Sequence, residues 1–244
     1  MHVSARTKRL ITAAGLEPAA RAARDMLSGP KVRRGRRDDA ILCAALAYLL
    51  RADDNCIDVG AHSGDILAHI VRLAPAGNHM AFEPIPALAA ELQREFPRVA
   101  VHNAAVAGES GSSTFEWVKT RPAVSSLRAD PRVKGGEDIE QIDVKLVRLD
   151  DLVTAPVAFI KIDVEGAEEG VLVGASETLA RYRPLVAFEH GLSAAVYGTS
   201  SGRIFDLLHA ATLRVYSASG EGPYSRDQFD EVVQRGAVWN FVAR

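Results

Sequence analysis

The chain has 244 residues, of which 48% are hydrophobic and 25% charged, the balance of an ordinary globular protein with length enough for a sizeable core. A net charge of −2 gives no overall pull toward nucleic acid or a membrane surface, and no apolar run reaches the roughly 20 residues that cross a bilayer. Two cysteines, Cys43 and Cys56, are too few for a disulfide framework or a zinc site and suit the cytoplasm. No apolar stretch with a cleavage site follows the basic N-terminus, so no signal peptide is expected.

The charge is unevenly placed, with +8 over residues 1–37 and −10 over the remainder. Residues 1–28, rich in Ala and Arg, predict one or two helices with a break near Gly15 and Pro18. The basic segment GPKVRRGRRDD (29–39) carries helix breakers and predicts a linker. AILCAALAYLL (40–50) predicts an apolar helix with Asp38 and Asp39 at its positive end. Residues 1–50 thus read as an N-terminal helical extension and 51–244 as the main domain.

From residue 55 onward, short apolar runs alternate with helical patterns. Strands are expected at 55–59, 79–83, 99–106, 157–163 and 185–190, and helices at 64–73, 85–96, 168–179 and 202–210. Two further strands, 112–118 and 141–149, flank a long polar insertion at 119–140. Segments 213–217 and 237–242 predict the last two strands. Such alternation argues for an α/β domain with a mostly parallel sheet covered on both faces.

The first strand runs into Asp58-Val59-Gly60-Ala61-His62-Ser63-Gly64 and then a helix. Ligands of doubly wound sheets bind at the carboxyl ends of strands. Glycines let backbone approach a ligand, and a helix start offers unpaired N–H groups. His62 stands where the dinucleotide fingerprint needs a glycine, so a pyrophosphate fits less well than a nucleoside with a short, positively charged amino-acid tail. Asp58 is then placed to face the tail's ammonium. Glu83, before Pro84 at the end of the second strand, is placed to accept ribose hydroxyls. Asn103, Ala104 and Ala105 at the third strand end leave room for a flat base.

Several segments resemble one known family. Residues 57–64 (IDVGAHSG) resemble the first motif of S-adenosylmethionine-dependent methyltransferases, and 81–84 (AFEP) the second. With NAAV (103–106), Gly108, Gly111, SSL (125–127) and FIKIDVEGAE (159–168), the set resembles the FkbM methyltransferases over roughly residues 55–191. The resemblance implies the class I methyltransferase, Rossmann-like sheet of seven strands with the last antiparallel. It also implies S-adenosylmethionine as cofactor and O-methylation of a small-molecule acceptor, commonly a saccharide or a secondary metabolite. Asp58, Gly60 and Gly64 would line the methionine end, with Ala61, His62 and Ser63 in the same turn. Glu83 and Pro84 would flank the ribose, and Asn103–Ala105 the adenine.

The fourth and fifth strand ends carry Asp163, Glu165, Glu189 and His190. His190 is the first candidate for a general base, since its ordinary pKa lies near neutrality; a packed rim histidine is the alternative. The four could also ligate Mg²⁺, although their spacing demands no metal. Glu168 reads as the first turn of the next helix. Tyr197 and the insertion, with Ser125 and Ser126, are candidate acceptor walls. Three readings remain open on sequence alone: an O-methyltransferase, a nicotinamide-dependent oxidoreductase and a non-catalytic nucleoside-binding module. Nucleic acid is disfavoured as a substrate by the acidic body, and a homodimer is left open.

Overall fold

The computed structural model describes residues 30–128, 133 and 136–244. The helices expected over 1–28 and parts of the insertion lie outside these residues. The chain divides into two compact units, Met1–Ala40 and Ile41–Arg244. The expected linker is helical instead: α1 runs over Pro30–Leu49, so Asp38 and Asp39 lie along it rather than at its start. Pro30 at the helix start lacks only an N–H that would be unpaired there anyway, and a single Gly35 costs about 1 kcal/mol. In the second unit, Leu46 of α1 is buried with Cys56, Ile70, Phe159 and Ala187.

Strands β1 (Cys56–Val59), β2 (Met80–Phe82), β3 (Ala100–His102), β4 (Ala105–Val106), β5 (Gly111–Val118), β6 (Ile139–Val147), β7 (Phe159–Ile162), β8 (Leu185–Glu189), β9 (Val215–Ser217) and β10 (Asn240–Ala243) form two sheets. The larger has the order β3-β2-β1-β7-β8-β10-β9. Its first five strands are parallel, and β10 runs antiparallel to both β8 and β9. The smaller sheet, β4-β6-β5, absorbs the two strands around the insertion as an antiparallel pair. The single strand expected over 99–106 is split between the sheets. Ala104 N–H bonding back to His102 O turns the chain between the two halves.

Helices α2 (Asp65–Leu73), α3 (Pro86–Glu95), α4 (Glu168–Gly174), α5 (Ser176–Tyr182), α6 (Ser201–Ala210) and α7 (Arg226–Gln234) connect the strands. The strand period places Ile57 and Val59 of β1, with Ile160 and Ile162 of β7, in the main core beside Phe82, Val186 and Phe188. Cys56 and Phe159 face the opposite layer against Ile70 of α2. Each such buried apolar side chain contributes roughly 1.5–3 kcal/mol. Two residues further along that second face the register pairs Asp58 with Lys161. The apolar stripe therefore ends in charge at the carboxyl edge, between β1 and β7, where the strand order reverses.

Candidate active site

Parallel pairing brings the ends of β1, β2, β3, β7 and β8 to one rim. The turn after β1 is tied to β2, since the N–H groups of Gly60 and Ala61 both donate to Phe82 O, at 3.0 and 3.1 Å. Gly60 and Gly64 each have φ +76°, and His62 adopts φ +48°. A Cβ on Gly60 would stand 1.9 Å from Asp163 O, so the turn presses directly on the end of β7. Ser63 donates its hydroxyl to Asp65 at the start of α2, at 3.2 Å.

Glu83 is 4% exposed and held by two backbone donors: His62 N–H bonds Oε2 at 2.8 Å and Ile85 N–H bonds Oε1 at 2.9 Å. Burial raises its pKa to about 7, against the lowering effect of those two bonds. Asn103 donates its amide to the carbonyls of Glu83 and Pro84, both at 2.9 Å, and so braces the turn after β2. Ala104 and Ala105 are buried, each among core residues.

Asp58 is 1% exposed. Across the β1–β7 register, Lys161 Nζ lies 3.5 Å from Asp58 Oδ1, 3.3 Å from Asp163 Oδ2 and 3.0 Å from Gly60 O, to which it donates. Burial raises the Asp58 pKa, partly offset by Lys161. Burial also opposes the Lys161 charge, but Asp163 and Asp58 outweigh it and the ammonium is held above its usual range. Lys161 lies within the FIKIDVEGAE segment (159–168) and is a rim residue without an expected role in the sequence. Its signal was the alternation IKID, which puts Lys161 on the opposite face from its apolar neighbours.

After β7 the chain turns through Glu165 at φ +53° and Gly166 at φ +106°. Left-handed backbone at a non-glycine residue costs roughly 1–2 kcal/mol. Glu168, 1% exposed, accepts Gly166 N–H at 2.8 Å and faces His190 Nδ1 at 3.4 Å. The other ring nitrogen of His190 is 3.2 Å from Ser201 Oγ, and its ring stacks on Phe229 at 5.7 Å. His190 is 1% exposed. It therefore forms the middle of a buried Glu168–His190–Ser201 chain and turns both nitrogens to protein partners. Glu189 ends β8 opposite Asn240.

Asp163, Glu165, Glu189 and His190 do not come together as ion ligands: among the described residues no group of three or more His, Cys, Asp or Glu is arranged to hold a metal. The Mg²⁺ alternative is therefore not supported, and His190 in that set turns to Glu168 and Ser201 instead. The insertion does reach the rim. Arg128 lies over the Tyr197 ring at 5.4 Å and donates to Val196 O at 3.2 Å. Tyr197 in turn abuts Gly166, where a Cβ would meet its Cδ2 at 3.1 Å. Ser125 is buried and bonds Val118 N–H, while Ser126 donates to Arg128 O.

A seven-stranded sheet in this order, with a glycine turn after the central strand and an acid ending the next, is the class I methyltransferase fold. The chain belongs to the FkbM methyltransferase family: residues 58–215 match the Methyltransferase FkbM domain. It is 26% identical over 145 residues to Methyltransferase 1 of Beauveria bassiana, covering 50% of this chain and 58% of that protein. Among solved structures it is similar to Methyltransferase FkbM from Methylobacillus flagellatus, with 17% identity, a TM-score of 0.48, and coverage of 80% of this chain and 44% of that one. It is also similar to the precorrin-6y C5,15-methyltransferase of Geobacter metallireducens, with 13% identity, a TM-score of 0.43, and coverage of 73% and 72%. The chain thus spans little more than half of the curated relative and less than half of the FkbM crystal structure. The family is one of methyltransferases, not of the nicotinamide-dependent oxidoreductases that the sheet alone left open.

Proposed function

We propose that the protein is an S-adenosylmethionine-dependent O-methyltransferase acting on a hydroxyl of a small molecule, a saccharide or a secondary metabolite. The observation that carries the cofactor reading is Glu83. It is a carboxyl group braced by two backbone N–H groups at the end of β2, beside a glycine turn at the switch point. A buried carboxylate in that state is complemented by a pair of ribose hydroxyls, each donating to one oxygen. S-Adenosylmethionine, when bound, supplies an electrophilic methyl group on a sulfonium. The chain's own residues hold and orient: the turn Gly60–Gly64 borders the amino-acid tail, Glu83 and Pro84 the ribose, and Asn103, Ala104 and Ala105 the adenine side.

The acceptor hydroxyl faces the β7–α4 turn, walled by Tyr197 and Arg128. Glu165 would accept the proton of that hydroxyl, so the proton would end on the Glu165 carboxylate as the methyl group is received. Glu168 and His190 hold that turn in its left-handed shape. Alignment within a site poor in water supplies the rest of the rate. The acidic body of the chain and the reduced state expected of Cys43 and Cys56 favour a cytoplasmic enzyme with a small acceptor rather than nucleic acid.

Calorimetry tests the reading. S-Adenosylmethionine or its demethylated product should bind at micromolar strength, and Glu83→Ala should weaken binding by roughly 1–3 kcal/mol. No binding at millimolar ligand would overturn the proposal. Binding without methyl transfer to any hydroxylated acceptor would favour the non-catalytic module.

A further inference from the structure

Lys161, with its side chain 15% exposed, is a cation at the rim that the proposed chemistry leaves without a task, and its surroundings give it one. Its ammonium donates to Gly60 O and forms ion pairs with Asp58 and Asp163. The two carboxylates differ in access. The Asp58 side chain is 1% exposed and shut behind the lysine, whereas that of Asp163 is 38% exposed. A ligand ammonium can reach Asp58 only by displacing Lys161, which would also release the Gly60 carbonyl that shapes the turn. The more exposed Asp163 carboxylate offers it a partner at the rim.

We propose that Lys161 is a positioning residue that determines where the cofactor's amino-acid tail docks: by occupying Asp58 and the Gly60 carbonyl, it leaves Asp163 as the carboxylate that receives the tail's ammonium. This rests on the S-adenosylmethionine reading above and deepens it, moving the ammonium partner from the strand β1 acid to the strand β7 acid. The chemistry required of the ligand is a primary ammonium a few bonds from a nucleoside. A neutral nucleoside thioether engages the ribose side alone and is indifferent to Lys161.

The experiment compares S-adenosylhomocysteine with 5′-methylthioadenosine, the same nucleoside thioether without the amino-acid tail, by calorimetry on the full chain. Wild type should bind the tailed ligand at least about 10-fold more tightly, as a charge-assisted contact implies. Asp163→Asn, at a half-exposed site that should not impair folding, should erase that preference and leave 5′-methylthioadenosine within about 2-fold of wild type. Lys161→Met frees the inner carboxylate and should change the tailed-to-untailed ratio by about 10-fold while the untailed affinity holds, a pattern that general loosening of the fold would not give. An unchanged ratio in Asp163→Asn overturns the inference, as does a wild type that binds both ligands equally. A wild type that binds neither ligand overturns the cofactor reading itself, and the inference with it.

Discussion

Glu83 Oε2 accepts the backbone N–H of His62 at 2.8 Å, so the acid that ends β2 and the turn that follows β1 are one unit. Whatever loads Glu83 also sets the turn.

The raised Glu83 pKa has a definite sign. In the unfolded chain the group titrates near 4.5, and in the fold near 7, because burial disfavours its charge. The folded state therefore holds more protons between those values. The stability linked to this proton is fully present below pH 4.5 and is lost as pH rises to about 7, an effect on the order of 3 kcal/mol. Glu83→Gln should flatten that slope in denaturant melts across pH 4.5–8. Hydroxyl donation from a ligand favours the ionised form, so ligand binding near pH 7 should release protons, seen as a buffer-dependent calorimetric enthalpy.

Gly60→Ala should be among the least tolerated changes at the rim. The added methyl meets a backbone carbonyl at 1.9 Å rather than a flexible side chain, in a left-handed conformation. A loss of roughly 3 kcal/mol or more is expected, read by urea denaturation. Wild-type stability would show that the β1 turn can part from β7.

Glu165→Gly should separate strain from chemistry. Glycine relieves the left-handed backbone at φ +53°, so stability should hold or rise by up to about 1 kcal/mol. Turnover should fall about 10²-fold or more if the carboxylate takes the acceptor proton. Retained turnover would remove Glu165 from that role.

His190→Ala should act through Glu168. The buried carboxylate loses its ring partner, at roughly 1–3 kcal/mol for the group left unpaired. Turnover should drop with S-adenosylhomocysteine affinity unchanged, since the ribose and tail contacts lie on other strands. A bell-shaped rate profile whose His limb vanishes in this variant would instead restore His190 as the base.

The sheet was legible in the sequence because its strands are short apolar runs bounded by turn residues, and the rim acids sit at fixed places beside them. Three things were not. The helix Arg226–Gln234 went unassigned although Ser225 and Gln228 form a capping box, a local signal that the strand-helix alternation around it obscured. The linker expected at 29–39 is helical from Pro30 onward, because helix breakers weaken a helix without forbidding it. The partners of His190 and Lys161 were invisible for a different reason. Glu168 and Ser201 meet His190 from two helices, and Lys161 reaches Asp58 across 103 residues of chain through strand register alone. Sequence pattern gives the face on which a side chain lies, not the neighbour that burial forces on it.

Strand β10 is translated after β9 yet lies between β9 and β8. During synthesis β8 therefore emerges with one edge bare, and β9 has no place in the sheet until Asn240–Ala243 has slid in beside Phe188 and Tyr216. A chain that folds from its N-terminal side would keep an open β edge next to its rim until that last strand docks. In that interval the half-built sheet is most exposed to pairing with a stranger.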